Sequence, residues 1–234
     1  MIAFDPSLVP ARLIRRYKRF LADMQLADGT EVTAHCANPG SMIGCAEPGA
    51  RAWLSPNRSK TAKLAWRWEL VETPGGLVGI NTARTNALAE TAIRSGQIPA
   101  LAGYAGVRRE VRYGAASRID LLLEDPGLCY VEVKNVTLQR GSAALFPDAV
   151  TARGRKHLTE LAQMVAAGHR AVMLYVVQRS DCDGFAPAAD IDPAYAAALA
   201  EAHAKGVELL AYACSVTPQA VGVARALPIR LGDT

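Results

Sequence analysis

The sequence predicts a mixed α/β (α+β) chain in two parts, a small β-barrel or sandwich followed by a sheet of mixed direction with helices. Two observations carry this reading. Residues 1–81 are dense in turn signals (Asp28-Gly29, Asn38-Pro39-Gly40, Glu47-Pro48-Gly49, Ser55-Pro56-Asn57, Pro74-Gly75-Gly76) with short segments between them that read as strands. Residues 82–234 read instead as helix, strands, helix, strand, helix, strand, which is the pattern of a layered sheet.

In the first part, strands are expected at 30–36, 50–55, 64–73 and 77–81. Within 64–70, Leu64, Trp66, Trp68 and Leu70 alternate with Ala65, Arg67 and Glu69, a strand period with one apolar face. That shared face makes core packing the better reading of the two tryptophans than base stacking. The segment 12–25 is ambiguous. Leu13, Ile14, Tyr17, Phe20, Leu21 and Met24 recur at helical spacing, whereas a small barrel requires a long bent strand there.

In the second part, 86–95 reads as a helix ending at Gly96, and strands follow at 106–113, 117–123 and 128–137. A helix over 154–167 has Leu158, Leu161, Ala162 and Val165 on one face, with Gly168 past its end. The run AVMLYVV (171–177) has the composition of a strand buried on both faces. Asp192-Pro193 forms an N-cap and first-turn pair for a helix stopping at Gly206, and the apolar run VELLAYACSV follows.

Composition narrows the function classes. The chain has 234 residues, is half hydrophobic and carries a formal net charge of +4. There are ten Lys/Arg against seven Asp/Glu before residue 82 and sixteen against fifteen after it, a mild basic bias compatible with nucleic acid and equally with an ordinary enzyme. The five cysteines include no Cys-x-x-Cys pair, which argues against a disulfide framework or zinc ribbon and for a reducing, cytoplasmic setting. His35-Cys36 lacks a second ligand pair at zinc spacing. No signal peptide is expected, because Arg12, Arg15, Arg16, Lys18 and Arg19 interrupt any apolar run. No stretch approaches the ~20 apolar residues of a membrane span. No phosphate-cradling glycine loop or dinucleotide fingerprint supports a sugar-metabolising enzyme.

The most informative stretch is RIDLLLEDPGLCYVEVKNVTL, residues 118–138. Glu124-Asp125-Pro126-Gly127 is a turn signal, and a hairpin centred there sets Asp120 roughly opposite Glu132, with Cβ atoms ~5 Å apart. Glu132 and Lys134 share a face. Two carboxylates that close repel unless a divalent cation bridges them, and Mg²⁺ takes one or two carboxylates plus water and phosphate oxygens. The Val133 carbonyl lies between them as a further ligand, and a neighbouring lysine can polarise the attacking water. Glu90, one helical turn after Asn86, is a further carboxylate that could orient metal-bound water. The pattern alone is also that of a solvated strand face.

With these residues in place, the chain resembles the PD-(D/E)xK nuclease superfamily, and more closely the sugar fermentation stimulation protein A family. The blocks RYKRFLAD, HCANPGSM, NTARTN, SRIDLLL, CYVEVKNVTL, FPDAVTARGRKHL and IDPAYAAAL carry that resemblance in order along nearly the whole chain; Ala37 stands where the family often has proline. The resemblance implies an OB-like barrel over 1–81 and a restriction-endonuclease-like domain over 82–234, and it favours a strand over 12–25. It also implies DNA as partner, Mg²⁺ or Mn²⁺ as cofactor, and a link to sugar catabolism in bacteria. The nuclease pattern falls on Glu90, Asp120, Glu132 and Lys134, with Asp120, Glu132 and Val133 as metal ligands. The alternative is a non-catalytic DNA-binding regulator of sugar (maltose-type) catabolism genes. No protein partner is implied, and homo-oligomerisation stays open.

Two basic blocks are candidates for phosphate contact. Arg15, Arg16, Lys18 and Arg19 interleave with Tyr17 and Phe20, as in a barrel that binds strands through a basic groove with exposed rings. Arg153, Arg155, Lys156 and His157 open the 154 helix, where positive charge is mildly unfavourable without an anion; Arg153, Lys156 and His157 are the preferred contacts. His35, Asn38 and Ser41 form a third polar group that reads equally as turn-makers.

Overall fold

The computed structural model describes residues 1–57, 61–113 and 117–232. In chain order the strands are β1 (Ile2–Ala3), β2 (Val9–Tyr17), β3 (Leu21–Leu26), β4 (Glu31–His35), β5 (Arg51–Pro56), β6 (Trp66–Thr73) and β7 (Gly76–Gly79). Helix α1 (Thr85–Arg94) follows, then β8 (Gly106–Tyr113), β9 (Ser117–Glu124), β10 (Leu128–Val136), β11 (Leu138–Arg140) and β12 (Ala143–Phe146). Helix α2 (Ala152–Ala166), β13 (Arg170–Val177), β14 (Gly184–Pro187), α3 (Pro193–Ala204), β15 (Glu208–Val216) and β16 (Ala220–Ala226) complete the chain.

The first sheet runs β4-β3-β2-β5-β6-β7, and β4 also pairs with β6, closing a five-stranded barrel with OB-type strand order. Its interior holds Leu13, Met24, Leu54, Trp68, Val71, Val78 and Ile80. The helical spacing over 12–25 is overturned here, and the long bent strand is resolved into two. Tyr17 pairs with Leu21 across a tight reversal in which Lys18 and Arg19 adopt φ of 48° and 63°. A bulge between Leu13 and Arg15 then shifts the register. Buried Leu13 pairs with buried Met24, so a 3.6-like spacing arises from a turn and a bulge superposed on a period of two. A second bulge, between Trp53 and Leu54, breaks the single apolar face expected of 64–70. Trp68 enters the barrel core while Leu70 joins the core of the second unit, and Glu69 is buried between them.

The second unit is a seven-stranded sheet, β1-β16-β15-β13-β10-β9-β8, with a three-stranded companion β11-β12-β14. Strands β10, β13 and β15 are parallel, so helical crossovers cover the sheet. Along β13, Val172, Leu174 and Val176 face the layer that contains Leu88, Ala92 and Ile93 of α1. Ala171, Met173, Tyr175 and Val177 face the layer that contains Leu158 and Leu161 of α2 and Tyr195 and Leu199 of α3. Each such aliphatic side chain contributes about 1.5–3 kcal/mol when fully buried. Helix α2 starts two residues earlier than its periodicity suggests, because the Thr151 hydroxyl caps Gly154 N–H at 3.0 Å. Asp192 caps α3 through Tyr195 N–H as its sequence implies. Strand β1 pairs with β16 at one edge of this second sheet, so the N-terminus of the chain is built into it.

The barrel and the sheet meet along a hydrogen-bonded seam. Gly79 N–H donates to the Gln178 carbonyl at 2.8 Å, Thr82 Oγ1 to the Ala37 carbonyl at 2.8 Å, and Met42 N–H to Asp148 Oδ2 at 3.0 Å. A Cβ at Gly79 would lie 2.4 Å from Gln178 Oε1 and 3.2 Å from its Cβ. The Gln178 amide is held by Asn135, so it has little room to yield. Gly79→Ala is therefore expected to cost about 1–3 kcal/mol of stability, read as a lower denaturant midpoint with an unchanged m-value.

Candidate metal and nuclease site

The hairpin turn joins β9 to β10, with Glu124 paired to Leu128 and Gly127 at φ 65°. Regular pairing runs to Val131↔Leu121 and stops one residue short of Asp120 and Glu132. Beyond it, β10 stays paired to β13 as far as Val136↔Val177, so the sheet opens at the two acids. The Asp120 carboxylate takes the place of a ladder partner. Its Oδ2 accepts from Val133 N–H at 2.8 Å, and its Oδ1 accepts from the Asn86 side-chain amide of α1 at 2.9 Å.

Glu132 and Lys134 lie on the α2 face of β10, because the alternate residues Cys129, Val131 and Val133 fill the α1-side core. Glu132 is 2% exposed. Its Oε1 meets Lys134 Nζ at 2.5 Å and also touches His157 Nδ1, while Lys134 Nζ is 3.1 Å from that same ring nitrogen. Its Oε2 is buried with no hydrogen-bond partner. Burial works against the Glu132 charge, but the His157 and Lys134 contacts outweigh it and hold the carboxyl below its ordinary range. Asp120 shifts the other way. Burial and then the nearby Glu132 charge raise it, against the Val133 and Asn86 hydrogen bonds.

The other expected site residues are distributed differently. Glu90 shares a helix face with Asn86, yet its carboxylate is engaged by Arg94 at 2.8 Å and by Arg109. His157 is buried against Glu132, so it belongs to the acidic patch and not to an exposed basic block. Arg153 sits one turn away, with Nε 3.3 Å from His157 Nε2. Lys156 is exposed and 3.7 Å from Glu160. Arg155 bonds the buried Asp192, which makes it a helix-cap partner. In the first block, Arg15 pairs with Asp23 at 2.8 Å and stacks over Tyr17. Arg16 donates to the carbonyls of Asn38, Gly40 and Ser41, clamping that turn. Lys18 and Arg19 stand exposed at the hairpin tip.

Three participants have roles that the sequence did not assign. Asn86 holds Asp120. Glu110, at φ 53°, lies 3.5 Å from the Asn86 amide. Glu160 accepts from Ser117 at 2.7 Å, and its second oxygen is buried without a partner. Two of them had a sequence signal: Asn86 stands one helical turn before Glu90, and Glu160 stands three residues after His157 and shares that helix face.

The donor set suits a hard cation. It offers a half-buried carboxylate, raised by burial and by its acidic neighbour, and a buried carboxylate with an unpartnered oxygen, at a break in the sheet. Among the described residues no group of three or more His, Cys, Asp or Glu side chains is placed to hold a metal ion. Among the described residues no helix is long and apolar enough to cross a membrane.

Comparison with known proteins matches both units. Residues 14–80 match the SfsA N-terminal OB domain, and residues 83–220 match the sugar fermentation stimulation protein RE domain. A sugar fermentation stimulation protein homolog of Rhodospirillum centenum (strain ATCC 51521 / SW) is 60% identical over 227 residues, 96% of this chain and 97% of its own. The homolog of Paramagnetospirillum magneticum (strain ATCC 700264 / AMB-1) is 56% identical over 232 residues, 98% of each chain. The solved structure of Pyrococcus furiosus SfsA in complex with Ca²⁺ aligns with a TM-score of 0.88 at 26% identity, covering 98% of this chain and 99% of that one. Both units, in this order and over nearly the whole length, place the chain in the sugar fermentation stimulation protein (SfsA) family.

Proposed function

We propose that this protein is a DNA-binding, Mg²⁺- or Mn²⁺-dependent phosphodiesterase whose reaction centre is Asp120, Glu132 and Lys134. The observation that carries this is the buried, unpartnered Oε2 of Glu132 beside a second carboxylate whose ionisation Glu132 itself disfavours. Such a pair is costly without a cation between its members. Asp120, Glu132 and the Val133 carbonyl would hold the ion. When bound, a divalent ion polarises the phosphodiester and lowers the pKa of the attacking water. Lys134, only 12% exposed, orients that water for in-line attack and offsets the charge that develops on phosphorus. His157 keeps Glu132 Oε1 engaged, which leaves Oε2 directed to other work. Calcium is named with the Pyrococcus furiosus relative, and it is likewise a hard, oxygen-seeking dication.

The test is direct. Purified protein with Mg²⁺ or Mn²⁺ should nick or degrade DNA, and the same protein in chelator should not. A second reading, a non-catalytic DNA-binding regulator, draws on one observation: both carboxylate oxygens of Glu90 are engaged by arginines, Arg94 and Arg109. Metal-independent DNA binding with no cleavage of any DNA form would select it.

Arg153 and Lys156, exposed on the first turns of α2 beside His157, are the phosphate contacts that flank the reaction centre. Changing both to Ala should weaken DNA binding and reduce the slope of log K against log salt by about 1.8, roughly 0.9 per lost phosphate contact on duplex DNA. A fluorescence-anisotropy titration at several salt concentrations reads the slope directly. An unchanged slope removes this patch from the interface.

A further inference from the structure

A cleft of about 370 Å³ lies between the barrel and the second unit. The barrel side offers Arg19, Asn38 and Gly40, and the other side offers Asn135, Phe146 and Asp148. Val136, on the same face of β10 as Lys134, lines the cleft, and Thr151 at the cleft wall caps the helix that carries Arg153 and His157. The cleft therefore opens beside the proposed scissile position. Its volume is at the lower end of the ~300–1,000 Å³ typical of small-ligand pockets. That is room for one unstacked nucleotide and not for a base pair held in a duplex.

The barrel rim supplies a second feature. Phe20 is 46% exposed, although it belongs to a strand reversal where a polar residue would serve. Its ring lies nearly parallel to that of His35, with an interplanar angle of 17° and centroids 6.4 Å apart. Lys18 and Arg19 precede it, both exposed, and the two strained φ values of the reversal hold them at the tip. Phe20 is joined to the cleft on both sides, through Arg19 before it and through Cys36, whose N–H donates to the Phe20 carbonyl two residues ahead of Asn38. An exposed ring next to cations is the arrangement that stacks bases and tracks a strand without reading sequence. Apart from Arg19 on the barrel side, the cleft lining is neutral amide, hydroxyl and apolar surface with one carboxylate, Asp148, whose Oδ2 accepts from Met42 N–H and whose other oxygen donor groups on a base edge can use.

The geometry points to single-stranded DNA as the preferred substrate. One base stacks on Phe20 at the barrel rim, the next nucleotide enters the cleft between Arg19 and Phe146, and the following phosphate lies at Glu132 and Lys134. This rests on the proposed phosphodiesterase reading and adds the form of its substrate.

The test compares a fluorescein-labelled twelve-nucleotide strand with the same sequence as a duplex, in chelator so that no cleavage intervenes. The single strand should bind at least about tenfold tighter. Phe20→Ala should weaken single-strand binding about tenfold and leave duplex binding within about twofold, and Phe20→Trp should restore it. Thermal melting of both variants checks that the surface change leaves the fold intact. Equal or tighter duplex binding overturns the inference, as does a Phe20→Ala effect of the same size on both forms or of no size on either. The two readings fail separately. Cleavage of duplex and single strand alike would sustain the phosphodiesterase and overturn the strand preference. A tenfold single-strand preference without cleavage in Mg²⁺ or Mn²⁺ would do the reverse.

Discussion

Asp120→Asn should abolish Mg²⁺-dependent DNA cleavage, by about 10²–10³-fold or more, while the protein becomes slightly more stable. The two effects share one cause. Burial and Glu132 raise the Asp120 carboxyl, so the folded protein disfavours its charge. A neutral isostere removes that penalty. The amide oxygen can still accept from Val133 N–H, and Asn86 can turn its own amide to accept from the new NH₂. A gain of roughly 1 kcal/mol would raise Tm by about 2–4 °C for a chain of this size. Calorimetry and a plasmid-nicking assay on one preparation decide the matter. Lost cleavage together with a large fall in Tm would mean that Asp120 is a structural residue, and cleavage at the wild-type rate would remove it from the reaction centre.

Arg84→Ala should be the most damaging change away from that centre. Glu69 is wholly buried on β6, and Arg84 grips it with two bonds, Nε to Oε2 at 2.6 Å and Nη2 to Oε1 at 3.1 Å. Ser55 and Asn81 supply the remaining hydrogen bonds to that carboxylate. Removing the guanidinium strands a buried charge, which costs about 3–5 kcal/mol. The pH dependence has a definite sign. Burial opposes the Glu69 charge, but the Arg84, Ser55 and Asn81 contacts prevail and lower its pKa in the folded protein. This contribution is complete above the unfolded carboxyl pKa of about 4.3 and is lost as pH falls through the lower folded value. The destabilisation by Arg84→Ala should therefore be largest near neutrality and shrink towards acid, where protonation relieves the stranded carboxylate. Urea midpoints between about pH 4 and pH 8 give the profile. A pH-independent loss would assign Arg84's role to its packing over Phe4, where its guanidinium carbon is 4.7 Å from the ring centroid. The pair also bears on the proposed reaction centre, since Arg84 immediately precedes α1, the helix whose Asn86 holds Asp120.

Much of this architecture is written in local chemistry. The period of two along β13, the Asp192 cap of α3 and the Asp125-Pro126-Gly127 turn each depend on residues close in sequence, and short-range sterics and hydrogen bonding suffice to place them. The same reasoning brings Asp120, Glu132 and Lys134 to one end of one hairpin. Where it failed, the deciding partner lay far along the chain. The helical spacing over 12–25 gave way to a hairpin because barrel closure places buried Leu13 against Met24 and seats β2 on β5. The apolar face of 64–70 was split because Leu70 packs on a second core that its own segment does not announce.

The proposed reaction centre shows the same division. Its acids and lysine can be read from a twenty-one-residue stretch, because a hairpin determines which side chains share a face. Their partners cannot. Asn86 arrives from α1 and His157 from α2, and each bond exists only once the helices have docked on opposite layers of the sheet. Docking also turned Glu90 towards two arginines and buried His157 out of the basic block, because helix rotation follows the apolar stripe and carries every polar side chain with it. Short-range preferences thus specified the elements and the acidic hairpin, while long-range packing decided which charges meet.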